Sequence, residues 1–248
     1  MDRLRLHVVA CPSFRPELEM LAAEAKAAIT FRHLEMGLHE RSAAALHDAL
    51  QCAIDSEADS DAIAIGYGLC NRGIIGLQSR SVPMIIPRAH DCVGMLLGGS
   101  QRYLAQLEAQ PGTYFQSAGW LENSSANRDI RQPDFTFGPN SNVTRERLVA
   151  RYGEDNADYL LGQFDDFTQH YERLAFIATP VPASAHWEVL AKKIAAERNW
   201  SFERLRGDLG LLRRFLDAEW NEREFLTVRP GERVVRTSDE FLIAAEPV

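Results

Sequence analysis

The sequence predicts an α/β protein: two Rossmann-like lobes with parallel sheets facing a cleft, with one continuous mixed sheet as the alternative. Three observations predict it. Short apolar runs rich in β-branched residues, such as Ala62–Ile65 and Val82–Ile86, alternate with longer amphipathic segments. The alternation recurs in the second half of the chain, from Leu174 onward. Two motifs, Gly66-Tyr67-Gly68-Leu69-Cys70 and Pro87-Arg88-Ala89-His90-Asp91-Cys92, directly follow apolar runs. That is where an open parallel sheet presents its ligand-binding loops.

Leu4–Ala10 reads as the first strand, ended by Cys11-Pro12-Ser13. Pro16 suits a first helical position and Glu17 and Glu19 favour the positive helix start, so a helix is expected to about Ala27. Ile29–Leu34 is the second strand. Ser42 can cap a helix over about Ala43–Ser56, whose apolar face is Leu46, Leu50, Ala53 and Ile54. Ala62–Ile65 and Val82–Ile86 are the third and fourth strands, with Pro83 weakening the start of the latter. A helix follows at about Gln101–Glu108. Pro111–Trp120 reads as an extended aromatic segment, and Leu121–Asn142, which holds Pro133 and Pro139, as a long loop. Thr144 caps a helical stretch reaching about Arg173, with breaks at Gly153 and Gly162. Then come a strand at Leu174–Thr179, a helix at Ser184–Asn199, a strand at Trp200–Leu205 and a helix at Leu209–Glu219. Short strands at Phe225–Val228 and Val234–Val235 end the pattern. The two lobes are placed at residues 1–142 and 143–248.

The chain has 248 residues, 46% hydrophobic and 25% charged, which is enough to build a sizeable core. A formal charge of −8 argues against a general nucleic-acid or anionic-membrane surface. No apolar run approaches the length of a membrane span, and the N-terminus is expected to enter a strand directly, without a signal peptide. Four cysteines, two of them in loop motifs, suit a reducing compartment, so the expected location is the cytoplasm.

The strand register places Cys11, His39, Cys70, His90 and Cys92 just beyond the carboxyl ends of different strands. A parallel sheet gathers those ends along one edge. Thiolate sulfur and imidazole nitrogen are zinc's preferred donors, so Cys11, Cys70 and Cys92 with His39 or His90 are candidate metal ligands. No Cys-x-x-Cys spacing supports this, and free cysteines also serve as small buried hydrophobes. Arg88 could hold a carboxylate or phosphate, or pair with Asp91. Tyr67 and Tyr114 could line a ligand site; packing, and an aromatic plug with Trp120, are their bland readings. The glycines at 66, 68 and 73 do not match the dinucleotide fingerprint, whose third glycine falls on Asn71. Cys52 lies on a helix and reads as structural.

These motifs, together with Gly37-Leu38-His39-Glu40-Arg41, Pro111-Gly112-Thr113-Tyr114, Gly207-Asp208-Leu209 and Pro230-Gly231-Glu232, resemble the family known as domain of unknown function 1638. The family motif often reads Cys-Gly where this chain has Cys70-Asn71. Members are commonly encoded beside corrinoid-dependent methyltransferases of the trimethylamine-methyltransferase type. The resemblance therefore implies methyl or one-carbon metabolism, with a corrinoid protein or methyltransferase as partner. Two functions follow as expectations. One is a metal–thiolate enzyme, with zinc or another transition metal, acting in methyl transfer on a small-molecule ligand. The other is a non-catalytic accessory that binds a corrinoid or its protein. A cysteine nucleophile with His90 as base is a third option.

Overall fold

The computed structural model describes residues 3–125, 149–150, 152–157 and 170–248, without the side chains of residues 39, 40, 124 and 125. Strand β1 (Arg5–Ala10) leads through a one-turn 3₁₀ helix (Pro12–Phe14) into α1 (Arg15–Ala22), and β2 (Ala28–His33) follows. Next come α2 (Leu38–Arg41), α3 (Ala43–Asp55), β3 (Ala62–Gly66) and β4 (Met84–Pro87). Ser42 caps α3 as its position predicts, its hydroxyl accepting the Ala45 N–H at 3.0 Å. Leu46, Leu50, Ala53 and Ile54 form the buried face of that helix. The fourth strand starts later than the apolar run suggests. Pro83 has no N–H to give a ladder and stays outside, contributing only its carbonyl to Ile63 N–H.

These strands form a sheet in the order β2-β1-β3-β4, all parallel, and β8 (Phe225–Val228) joins β4 antiparallel at the edge. Every residue of β3 and β4 is buried, as a strand covered on both faces requires. The chain steps from β1 to β2 on one side and then crosses over β1 to β3 on the other. The order therefore reverses between the carboxyl ends of β1 and β3, the topological switch point at which such sheets bind ligands.

Beyond β4 lie α4 (Cys92–Leu96), α5 (Ser100–Ala109), β5 (Thr113–Ser117) and α6 (Ala118–Ser125). The extended reading of Pro111–Trp120 is thus corrected. Only Thr113–Ser117 is a strand, and a helix starts at Ala118, occupying the first part of the segment read as a long loop. Residues 126–142 of that loop lie outside the described residues, as does most of the linking helix. Gly153 does take a positive φ of 80°, which suits the break expected there.

β5, β6 (Arg173–Ala178) and β7 (Ser201–Arg206) form a second, fully parallel sheet, with α7 (Ser184–Glu197) crossing between the last two. Helix α8 (Gly210–Leu216) then returns the chain to β8, and a hairpin of β9 (Glu232–Arg236) and β10 (Ile243–Pro247) completes it. The protein is therefore a mixed α/β fold with one mixed and one parallel sheet. Two expectations change. The sheets are separate ladders and do not merge into one. The first is also not purely parallel, because β8 reaches β4 from the far end of the chain and runs the opposite way.

Glycine sets how closely the strand ends approach. A Cβ on Gly66 would lie 2.8 Å from the Ala10 Cβ, and one on Gly68 would meet the Ala89 carbonyl oxygen at 2.7 Å and the Asp91 nitrogen at 2.8 Å. The obstacles at Gly68 are backbone atoms that cannot swing aside. Gly68→Ala is expected to destabilise the protein by about 3 kcal/mol, measured as a lower denaturant midpoint with an unchanged slope.

Candidate functional site: three cysteines at the switch point

Three loops build the site. After β1, the Cys11 N–H donates to the Gly66 carbonyl at 3.3 Å, tying this strand end to that of β3. The 3₁₀ turn that follows brings the buried Ser13 hydroxyl back to donate to the Cys11 sulfur at 3.1 Å. After β3, Tyr67 is buried, and Gly68 lets the chain lie against the loop after β4. Two backbone bonds then join the loops: Leu69 N–H to Ala89 carbonyl at 2.9 Å and Cys70 N–H to His90 carbonyl at 3.0 Å. The third loop ends at Asp91, whose carboxylate caps α4 by accepting the Gly94 N–H at 3.0 Å and so presents Cys92 as the first helical residue.

The turn carrying Cys70 is left-handed. Cys70, Asn71 and Arg72 have φ values of 34°, 55° and 66°, and none is glycine. Each such residue costs about 1–2 kcal/mol. The two inter-loop bonds hold the turn against that cost.

The three sulfurs act on one another. Burial is the first reason the Cys70 thiol titrates well above its usual range, and Cys92, Asp91 and Cys11 push it further. Burial, Asp91 and Cys11 raise Cys92 in the same way, with the Ser13 hydroxyl opposing them. Tyr67 is raised by burial, then by Cys11, Cys70 and Cys92. Its buried hydroxyl meets the Cys11 thiol outside regular hydrogen-bond geometry and finds no other partner. Cys11 is 7% exposed. Cys70 and Cys92 keep part of their surface open to solvent even though protein closely surrounds both thiols. No basic side chain figures among the influences on Cys70 or Cys92. Burial therefore favours the neutral form of the Cys70 and Cys92 thiols, and a bound cation would reverse that balance. Among the described residues, no three His, Cys, Asp or Glu side chains stand preset in a metal-holding arrangement.

The other predicted site residues fall elsewhere. The His39 side chain lies outside the described residues, although its backbone belongs to α2. His90 contributes its carbonyl to the Cys70 turn. Arg88 is turned to the C-terminal hairpin and does not pair with Asp91. Its guanidinium donates to the Glu222 carbonyl at 2.8 Å, the Phe241 carbonyl at 3.1 Å and the Ile243 carbonyl, and it stacks on Phe241. With these donors engaged, Arg88 reads as a clamp on the hairpin and not as an anion anchor. Tyr114 packs edge-on to Trp120 and Tyr171 and tilts against Trp200, the aromatic plug of its bland reading. Cys52 is exposed and away from this edge.

The second sheet reaches the site through its own carboxyl ends. Ser117 and α6 sit on the Ser13 turn: the Ser117 hydroxyl donates to the Ser13 carbonyl at 3.5 Å, and Asn123 donates to the Pro12 carbonyl at 3.0 Å. Thr179, past β6, donates to Glu17 at 2.7 Å, and the Asp208 N–H, past β7, donates to the Leu96 carbonyl at 2.9 Å.

Sequence reasoning missed Ser13, Tyr103 and Glu17. Asp91 raises the Tyr103 phenol, after burial, through charge and a hydrogen bond. Glu17 is fully buried, and one of its carboxyl oxygens has no partner among the described residues. A serine two residues past a strand-end cysteine was a usable signal. The burial of Glu17 was not legible, because its partner lies 162 positions away.

The family described as "Protein of unknown function (DUF1638)" matches residues 33–216, and the chain belongs to that family. No curated protein and no solved structure matches the sequence. No helix among the described residues is long and apolar enough to cross a membrane.

Glu17 makes a stability prediction. Burial raises its carboxyl above the ordinary value, so the folded state holds a proton that the unfolded chain has released. Stability is then full below the ordinary carboxyl range and falls as pH rises through it towards the raised folded value. Chemical unfolding at a series of pH values is expected to show this decline in the wild type, and a shallower one in Glu17→Gln.

Proposed function

We propose that Cys11, Cys70 and Cys92 form a thiolate site for a thiophilic metal ion, zinc foremost, in methyl or one-carbon metabolism. The observation that carries this reading is convergence. Cysteines from the ends of β1, β3 and β4 meet at the switch point of the sheet, where Cys11 and Cys92 bear on the Cys70 thiol and Cys11 on that of Cys92. The donor chemistry fits a soft cation. The Cys70 and Cys92 thiols, with no basic side chain among their influences, are poor anions alone and good ones around a positive charge. A metal bound there would keep the sulfurs deprotonated and nucleophilic, the property needed to accept a methyl group.

Each residue has a part. The three sulfurs would hold the ion, with the imidazole of His39 or His90 as the fourth donor. Tyr67 would turn its buried hydroxyl to the ligand. Asp91 keeps Cys92 at the head of α4 and adds negative charge, which favours a cationic guest. Across a cleft between two lobes, the carboxyl ends of the second sheet would bound the small-molecule site. The partner in this reading is a corrinoid protein or methyltransferase.

Elemental analysis of protein purified under reducing conditions is expected to find about one zinc or other transition-metal ion per chain. Cys70→Ser should lower that occupancy, and Cys52→Ser should leave it unchanged. Metal-free wild-type protein that also takes up no added zinc would sink the reading.

A further inference from the structure

Ser13 is 1% exposed, and its hydroxyl and its carbonyl are both engaged. Its hydroxyl donates to Cys11 Sγ at 3.1 Å and also acts on the Cys92 thiol, opposing the effect of burial there. The bonded sulfur is thus that of Cys11. The Ser13 carbonyl accepts from the Ser117 hydroxyl at 3.5 Å. Helix α6 presses on the same carbonyl so closely that a Cβ on Gly119 would stand 2.3 Å from the oxygen. The Pro12 carbonyl is held by Asn123 from the same helix. The second sheet therefore seats the turn whose hydroxyl serves the first sheet's cysteines.

We infer that Ser13 is a positioning residue of the cysteine cluster, orienting the Cys11 sulfur by hydroxyl donation, and that α6 sets its orientation from the second sheet. The inference rests on the thiolate reading above for its metal arm only. A donor to sulfur stabilises thiolate over thiol and fixes the direction of its lone pairs, and partners of this kind typically alter metal affinity 10–100-fold. Ser13→Ala removes the donor and leaves the volume nearly unchanged.

The test compares wild type, Ser13→Ala and Gly119→Ala in the full chain, each first shown by thermal unfolding to be folded. Cobalt(II) titration of metal-free protein reads affinity through the sulfur-to-cobalt charge-transfer band. Iodoacetamide labelling without metal, resolved by peptide mass spectrometry, reads each cysteine separately, with Cys52 as internal control. If the wild type binds cobalt, Ser13→Ala is expected to weaken binding about 10–100-fold, and unchanged affinity overturns the inference. If the wild type binds no cobalt, the metal reading falls and labelling decides. Several-fold slower reaction at Cys11, with Cys52 unchanged, upholds the role of Ser13, whereas an equal rate overturns it. Gly119→Ala keeps the hydroxyl but displaces the turn and is expected to move the same readout in the same direction. Wild-type behaviour there overturns the part assigned to the second sheet.

Discussion

The structure depends on the close approach of two backbone segments, Gly68–Cys70 after β3 and Ala89–Asp91 after β4. Two N–H···O bonds hold them together, and the missing side chain at Gly68 lets them meet. Several features follow from that contact. It sets the distance between Cys70 and Cys92, it sustains three left-handed residues in succession, and it leaves Tyr67 buried with its hydroxyl against a sulfur. Backbone bonds between loops are directional and cannot slide, so the cysteines inherit the rigidity of the sheet below them.

A second constraint comes from the other sheet. The carboxyl ends of β5, β6 and β7 each touch the first sheet's helices or loops, at the 3₁₀ turn through Ser117, at α1 through Thr179 and at the end of α4 through Asp208. Most of these contacts are polar and short-range, and one involves a buried carboxyl held by a single threonine hydroxyl. Such contacts specify an orientation more than they add stability, because each exchanges a bond to water for a bond to protein. The chain also crosses between the sheets twice, with β5 built from the first half of the sequence and β8 returning from the second.

Arg88 and Ser13 show how context reassigns a residue. An arginine beyond a strand in a histidine- and cysteine-bearing loop invites an anion. Here β8 runs alongside β4 and carries the hairpin's carbonyls to the guanidinium, and the arginine becomes a clamp. Ser13 looks like an ordinary turn residue, yet the 3₁₀ turn folds its hydroxyl onto the sulfur of Cys11.

Much of this was legible in the sequence, for a physical reason. Strands such as Ala62–Gly66 and helices such as Ala43–Asp55 are specified by local periodicity and caps, which act over a few residues. Parallel connectivity then obliges the strand ends carrying Cys11, Cys70 and Cys92 to share one edge. Tertiary structure alone decided the rest. The switch from strand to helix at Ala118, the antiparallel entry of β8, the engagement of Arg88 and the burial of Glu17 against Thr179 all depend on partners supplied by distant segments. Periodicity carries no information about which distant surface will cover a side chain, and that covering decides whether a polar group is a ligand, a clamp or a buried acid.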